Sequence, residues 1–386
     1  MNDREATVRA MCQTSNALFL ARRMEDCRLE YNRAYDLVHQ HNLTDLCATV
    51  DTVHAVERLA AGDFESALAS YDRAVAVLRH AGLSAACLPG MTFRGGLHMW
   101  RLEYCEGEQI LDWTMQTARD LGMRGRILSN LFFRTISFGH QGRIGEALQT
   151  MREARGIAEL NGERFVLARI PNTFGWLHRE LFDLERSLQF DLDGAQLSQQ
   201  VGDNEAEISS RINAGQIYLL MGEPGRAFEQ LQQAELLLDR FNWFTWVFRI
   251  RLEAEFGSYW LSRGDLRKAE GHVSNSLDIA TRALCRKHMA WGLKLKADIA
   301  TLDDRVHDAR DNYVAALGVL THHPCPPIEW QIRKSYAEFC RRTQESGLGD
   351  DQIRHARALV NSLADSVADN SLRQLLLTSR PVRELK

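Results

Sequence analysis

The sequence predicts an all-α fold, a right-handed superhelical solenoid built from antiparallel helix pairs. Three observations support this prediction. Small residues recur every 40 residues along most of the chain. Three such positions occur in each period, which indicates two helices that cross closely. Glycine-containing turns separate the two segments of a period. Because one helix pair buries only one face, neighbouring pairs are expected to stack.

The recurring small residues define the register of the repeat. The first position is filled by Cys27, Ala67, Gly107, Ala147, Ser187, Ala227, Ala269 and Ala309, with one step of 42 residues among steps of 40. A second lies seven residues later, at Ala34, Ala74, Thr114, Ala154, Gly194, Ala234, Ser276 and Ala316. A third lies twelve residues before the first, at Ser15, Ala55, Gly95, Thr135, Gly175, Gly215, Gly257 and Ala297. A larger side chain at these positions would push the helices apart.

In chain order, the register predicts eight helix pairs over residues 5–320. Each period reads as a helix that carries the third small position, a short turn, and a helix that carries the first and second. Glycine ends the first helix of many pairs, as in "AAGDFESA" and "SRGDLRKA". Asp63 and Asp265 follow such glycines and are placed to cap the next helix.

Three residues depart from this pattern. Pro89 fits the first turn of a helix, whereas Pro171 removes one helical hydrogen bond and predicts a helix that starts or kinks there. Phe182 occupies the glycine position of its turn. Since a left-handed conformation costs a non-glycine residue roughly 1–2 kcal/mol, we expect another geometry, with Phe182 packed between helices.

After the segment "HHPCPP" the repeat becomes irregular. A ninth pair is predicted at about 328–342 and 350–364, and a last helix near 371–378 is expected to cap the array. We therefore predict eight regular pairs over residues 1–320 and an irregular pair with a capping helix over 321–386. The two parts are expected to form one continuous solenoid.

Composition excludes several classes of protein. The 386 residues are 45% hydrophobic and carry a formal net charge of −4, so no global basic field attracts nucleic acid or a membrane surface. No stretch approaches the ~20 apolar residues of a membrane span, and "MNDREATVRA" is unlike a signal peptide. These features predict a cytoplasmic protein with no nucleic-acid or membrane partner.

The eight cysteines form no CxxC motif and are interpreted as reduced thiols. The cluster at residues 322–325, "HHPC", has the residue types of a metal site but is more typical of a loop. We predict no metal site and no cofactor. No phosphate-binding loop and no nucleophile with a base partner is evident, so the protein is not expected to be an enzyme.

The repeat resembles the tetratricopeptide repeat, lengthened by about one helical turn from the usual ~34 residues. Four stretches resemble a narrower group. They are "NTFGWLHRELFDLERSL", "INAGQIYLLMGEPGRAFEQLQQAE", "WFTWVFRIRLEAEFGSYWLSRGDLRKAE" and "SLRQLLLTSRPVREL". These stretches are similar to the C-terminal repeat arms of bacterial signalling ATPases and transcriptional regulators, including cyclase-linked and maltose-regulator-like proteins. The resemblance covers about residue 124 to the end and implies a regulatory sensor arm.

A polar stripe marks the first helix of repeat five. Arg169, Asn172 and Trp176 stand at i, i+3 and i+7, and Arg179 continues the same helical face. First helices of solenoids usually line the concave, partner-binding face. The proposed partner-binding residues are Arg169, Asn172, Trp176, Arg179, Gln216, Trp246, Arg249, Arg251, Lys287, Trp291 and Lys294.

Two interpretations of this stripe remain open. Trp176 and Trp246 can be core residues, with the arginines paired to Glu180, Glu253 and Glu255. Alternatively, arginine and tryptophan together indicate a binding hot spot. The leading function is a non-enzymatic scaffold that binds a protein or peptide in bacterial signalling or transcriptional regulation. If the cations contact this partner, we expect the partner to be acidic. The alternative is a small-molecule sensor arm for a small anionic ligand. The sequence does not predict the oligomeric state.

Overall fold

The computed structural model describes residues 3–20 and 23–385, and all regular secondary structure in these ranges is helical. The predicted all-α fold of repeated helix pairs is confirmed. The helices are α1 (Asp3–Leu20), α2 (Met24–Gln40), α3 (Thr44–Ala60), α4 (Phe64–Ala81), α5 (Leu88–Trp100), α6 (Tyr104–Asp120), α7 (Arg124–His140), α8 (Ile144–Asn161), α9 (Arg164–Glu180), α10 (Leu184–Val201), α11 (Asn204–Leu220), α12 (Pro224–Leu238), α13 (Thr245–Ser262), α14 (Leu266–Ala283), α15 (Arg286–Leu302), α16 (Val306–Leu320), α17 (Pro326–Arg342), α18 (Ser346–Asp365), α19 (Asn370–Thr378) and α20 (Arg380–Arg383).

The register derived from small residues matches the packing of the helices. Every residue at the three recurring small positions is buried. Gly215 shows why the positions must stay small, because a Cβ atom there would lie 2.7 Å from Leu231 of the facing helix. Close helix crossing therefore depends on these residues.

The chain divides into two compact units. Unit 1 contains residues 1–98, 105–130 and 242–246. The carboxylate of Asp63 caps α4 there by accepting a hydrogen bond from the backbone N–H of Ser66 at 3.2 Å, as predicted. Pro89 is the second residue of α5, also as predicted.

Unit 2 contains residues 99–104, 131–241 and 247–386. Successive helices pack as antiparallel neighbours, and the first helices α9 and α11 also contact each other. Asp265 caps α14 by accepting from the backbone N–H of Lys268 at 3.1 Å. The irregular ninth pair is present as α17 and α18, and α19 follows within one residue of the predicted start.

Unit 2 also joins segments that are far apart in sequence. The guanidinium Nε of Arg101 donates to the carbonyl of Ala283 at 3.0 Å. At the start of α8, the backbone N–H of Ile144 donates to Ser366 Oγ at 3.2 Å. The repeat pattern did not predict these contacts, because it specifies only how a helix pair meets its neighbours.

Two predictions about departures from the repeat were wrong. Phe182 does adopt the left-handed conformation, with φ of 57°. Its ring lies 5.9 Å from that of Trp330 in α17, and this aromatic contact offsets the backbone strain of roughly 1–2 kcal/mol. Helix α9 does not start at Pro171 but begins at Arg164 and continues to residue 180, so the predicted start is wrong and the predicted kink stays a prediction. The flanking Ile170 is buried, so tertiary packing stabilises the helix through the proline.

No helix in the described ranges is both long enough and apolar enough to cross a membrane. The prediction of one continuous solenoid over the whole chain stays a prediction.

Candidate binding site

A hydrogen-bonded set of polar side chains lies between the helices of repeats five to seven in unit 2. We call Asn172, Asp191, Ser209, Asn213 and Arg251 the amide network. They come from α9, α10, α11 and α13, so the network is assembled from four helices of three consecutive repeats. Only Asn172 and Arg251 were predicted from the sequence.

The network runs from a guanidinium to a carboxylate by two routes. Arg251 Nη1 donates to Ser209 Oγ at 2.7 Å, and Ser209 Oγ donates to Asn172 Oδ1 at 3.1 Å. Arg251 Nη2 also donates to Asn213 Oδ1. The Nδ2 groups of Asn172 and Asn213 then donate to Asp191 Oδ1 at 3.1 and 3.0 Å. Each amide therefore presents its nitrogen to Asp191, and its oxygen faces the hydroxyl or guanidinium group.

Asp191 is the most deeply buried member of the network. Its side chain is fully buried, and its Oδ2 atom has no hydrogen-bond partner among the described residues. A Cβ atom at Gly175 would lie 2.3 Å from Oδ2, so the glycine leaves the space that the carboxyl group occupies. Burial raises the pKa of Asp191 well above its usual range, although the amides of Asn213 and Asn172 oppose the shift.

A second group of side chains adjoins the network. We call Arg179, Arg251 and Lys287 the cationic cluster. Arg179 Nη2 donates to Glu180 Oε1 at 2.9 Å, and the indole Nε1 of Trp176 donates to the same oxygen at 2.7 Å. Lys287 Nζ lies 5.1 Å from the centroid of the Trp176 ring, which is a cation–π distance.

Arg251 and Lys287 differ from the other cations of the site. Among the described residues, neither has a carboxylate within 4.0 Å of a side-chain nitrogen. Burial and, to a smaller extent, the charge of Arg179 lower the pKa of Arg251 to about 10. Burial also lowers the pKa of Lys287, and the nearby charge of Glu180 only partly opposes this shift.

Other titratable groups near the cationic cluster are shifted towards their neutral forms. Burial raises the pKa of Glu255 to about 7, against the opposing charges of Arg179, Arg251 and Lys294. Burial, together with the charge of Lys287, lowers the pKa of His288 well below 6.5. The carboxyl group of Glu255 beside the cluster therefore loses much of its negative charge near neutral pH.

The remaining predicted residues lie outside these two groups. Arg169 forms ion pairs with Asp203 and Glu205. Arg249 Nη2 lies 2.7 Å from Asp239 Oδ1. These two arginines are therefore occupied by carboxylates of their own unit.

Lys294 Nζ lies 2.6 Å from Asp298 Oδ2 and 4.9 Å from the centroid of the Trp291 ring. Gln216 is half-buried in α11. Trp246 belongs to unit 1, where its indole Nε1 donates to the carbonyl of Leu59 at 2.7 Å and its side chain is buried. The structure thus brings Asn172, Trp176, Arg179, Arg251 and Lys287 into these two groups, and the other predicted residues are not members of either group.

The sequence contained a signal for the residues that were missed. Asp191 lies four residues after the first small position, where the other repeats have Tyr31, Tyr71, Leu111, Met151, Leu231, Val273 and Tyr313. Asn213 and Glu255 occupy a position that is Phe93, Phe133 and Leu295 in other repeats. The polar Asp191, at a repeat position that otherwise holds Tyr, Leu, Met or Val, was the signal that could have located the amide network.

The chemical groups at this site are of kinds that can bind a ligand. It combines amide groups, guanidinium groups and a half-buried indole, which bind polar and anionic groups by hydrogen bonds and charge. The prediction that the protein is not an enzyme stays a prediction, as do the predictions of no metal and no cofactor.

Comparison with known proteins supports the fold. No protein-family profile and no curated protein matches the sequence. A solved structure of a Rap protein complexed with competence and sporulation factor is similar, with a TM-score of 0.53 and 12% identity. The match covers 88% of this chain and 99% of that chain. The predicted tetratricopeptide-like repeat fold is therefore confirmed.

Two further solved structures are more distant. The APC/C hetero-tetramer Cut9–Hcn1 gives a TM-score of 0.40 at 11% identity, over 94% of this chain and 74% of that chain. The apo form of the quorum sensor NprR from B. thuringiensis gives 0.40 at 11% identity, over 85% and 97%.

Proposed function

We propose that this chain is a non-enzymatic repeat protein that binds a peptide or protein segment at the amide network and cationic cluster of unit 2. The observation that carries the proposal is the polar substitution of core positions in repeats five to seven. Asp191 occupies a position that is Tyr, Leu, Met or Val in every other repeat, and the buried Asn213 and Glu255 occupy one that is apolar in four of the other six. Burial of polar and charged groups costs stability, so a binding role explains why these residues stand there.

The side chains suit an extended polypeptide. Asn172 and Asn213 carry both a donor and an acceptor, as a peptide backbone does. Trp176 is half-buried and presents an indole, which is one of the side chains enriched at binding hot spots. First helices supply most of the site, and this is the face that solenoids use to bind partners.

The fold and the sequence resemblance support a regulatory setting. The Rap protein of the similar structure is itself complexed with another factor, competence and sporulation factor. The stretches that resemble the repeat arms of bacterial signalling ATPases and maltose-regulator-like proteins include both Asn172 and Arg251. We therefore infer a role in bacterial signalling or transcriptional regulation. We also propose that the helix pairs form one continuous array.

A second candidate function is a sensor for a small anionic molecule. The burial of the site favours it, because the side chains of Arg179 and Glu180 are only 12% and 7% exposed. An enclosed polar site suits a small ligand, which buries most of its own surface on binding.

Peptide capture tests the leading proposal. The purified chain is immobilised and exposed to a proteolytic digest of bacterial proteins, and the retained peptides are identified by mass spectrometry. Asn213→Ala and Trp176→Ala are tested beside Gln232→Ala, an exposed position on α12. A set of peptides that the wild type and the Gln232 variant retain, and that the other two lose, supports the proposal.

Identical retention by all four proteins would refute peptide binding at this site. The sensor candidate is tested separately with a bacterial metabolite extract, by measuring the melting temperature. A ligand at 100 times its dissociation constant adds about 2.7 kcal/mol of stability. A stabilising fraction that is also lost in the Asn213 variant would favour the sensor.

A further inference from the structure

Two half-buried cations in unit 2 lack the close carboxylate partner that neighbouring cations have. Arg169, Arg249 and Lys294 each lie within 3 Å of an aspartate oxygen. Arg251 and Lys287 have no such partner among the described residues; Arg251 contacts Ser209 of α11, and Lys287 contacts Trp176 of α9. A buried charge without a counter-charge is costly, and such groups cluster at functional sites.

The hydrogen bonds of Arg251 hold its guanidinium group in a fixed place. Its two terminal nitrogens donate to neutral acceptors, Ser209 Oγ and Asn213 Oδ1. The amide of Asn213 is itself oriented by Asp191, which accepts from Nδ2 at 3.0 Å. Asp191 therefore acts as a positioning residue. The guanidinium group of Arg251 has five N–H donors, and the network accepts only two hydrogen bonds from it.

The other two cations, Arg179 and Lys287, have contacts of their own that meet at Trp176 and Glu180. Glu180 accepts from Arg179 and from Trp176, and the Trp176 ring lies beside Lys287. The charges of Arg179 and Arg251 both act on Lys287 and lower its pKa. Glu180 is the one carboxylate in ion-pair contact with this cluster among the described residues.

We propose that Arg179, Arg251 and Lys287 bind a carboxylate group of the ligand. The inference rests on the proposed function, because it names the chemical group that the binding site recognises. A carboxylate suits the cluster since its two oxygens accept from an arginine fork and from an ammonium group together. The group can come from the end of a peptide, from an acidic side chain or from a free organic acid.

The experiment uses the full chain and four probes. Three are random decapeptide libraries. The first lacks Asp and Glu and has free C-terminal carboxylates; the second has the same composition with amidated C-termini; the third is amidated but contains Asp and Glu. The fourth probe is sodium succinate, compared with sodium chloride at equal ionic strength. Library retention and the melting temperature are measured for the wild type, Arg251→Gln, Lys287→Gln and the control Arg267→Gln.

Arg267 is an exposed cation on α14, so its variant removes the same charge away from the cluster. Circular dichroism first establishes that each variant is folded, and Lys287→Gln replaces Arg251→Gln if the latter does not fold. We expect the control to bind as the wild type does. The two cluster variants should weaken binding by about 10- to 100-fold, the effect of one charged hydrogen bond.

The probes distinguish the source of the carboxylate and the failure of each proposal. Retention of the first library alone assigns the group to a peptide end, and retention of the third alone assigns it to an acidic side chain. Stabilisation by succinate alone assigns it to an organic acid. Equal retention of all three libraries would overturn the carboxylate inference and leave peptide binding intact. Absence of binding by every probe, or unchanged binding by both cluster variants, would also overturn the inference.

Discussion

Glu255 should make the stability of the chain depend on pH in a way that one substitution removes. The side chain is 6% exposed, and burial raises its pKa from 4.5 to about 7. Three cations face it and oppose the shift: Arg179 on α9, Arg251 on α13 and Lys294 on α15. Because a tenfold change in proton affinity corresponds to about 1.4 kcal/mol, ionising Glu255 in the folded chain costs roughly 3 kcal/mol.

The direction of the effect follows from proton binding. The folded chain keeps the proton of Glu255 up to about pH 7, whereas the unfolded chain releases it near pH 4.5. The free energy of unfolding therefore falls as pH rises through this range and stays lower above it. Glu255→Gln cannot ionise, so its stability advantage over the wild type should grow by roughly 2–3 kcal/mol between pH 5 and pH 8.

Urea titrations at pH 5, 6, 7 and 8 measure this difference. Tryptophan fluorescence and circular dichroism should give coincident transitions, which justifies the free energies. Asp191, His140 and His288 titrate in both proteins, so their contributions largely cancel. Glu229→Gln, an exposed position on α12, removes one carboxylate outside the site and should change stability by a similar amount at every pH. A Glu255 variant whose advantage is the same at pH 5 and pH 8 would refute the reasoning.

Three further predictions concern packing, capping and the site. Ala227→Leu should cost about 1–3 kcal/mol by overpacking a helix crossing, whereas Gln232→Leu at an exposed position should cost little, and equal effects in denaturant would contradict the repeat register. Asp63→Ala should cost about 0.5–2 kcal/mol in a urea titration through loss of the cap on α4; an unchanged midpoint would count against the cap. Trp176→Ala should lose less free energy of unfolding than the ~3–5 kcal/mol that truncation of a fully buried tryptophan costs, because the ring is half-buried. The same variant should lose about 2 kcal/mol or more of binding free energy for captured peptides. A stability loss at the full core value would make Trp176 a packing residue instead.

The fold could be predicted because its signals are local and repeated. Small residues at fixed spacing report the helix crossings directly, and Asp63 and Asp265 mark helix starts through their own hydrogen bonds. The predictions of the backbone geometry at Phe182 and of a helix start at Pro171 were wrong because they relied on local preferences alone. Their local preferences are real, but contact with Trp330 and the packing around α9 outweigh them.

The site could be predicted only in part because its residues meet through tertiary structure. Helical spacing placed Asn172, Trp176 and Arg179 on one face, and the structure brings them beside Arg251 and Lys287. Which cation has a carboxylate partner depends on residues from other helices. Arg249 and Arg251 are two residues apart on α13, yet only Arg249 has an aspartate within 3 Å among the described residues.

The close contact between Gly175 and Asp191 shows how a small residue of the repeat makes room for a polar residue of the site. At the third small position a glycine normally lets two helices approach, and in repeats six and seven the facing residue is Leu231 or Val273. In repeat five the same space holds a carboxyl group, which two asparagine amides fix from neighbouring helices. A leucine in place of Asp191 would restore the apolar packing of the other repeats but would leave both amides without their common acceptor. The polar residues are therefore interdependent, because Asp191 orients the amide that holds Arg251, and Arg251 contributes the cation that we infer to meet the ligand.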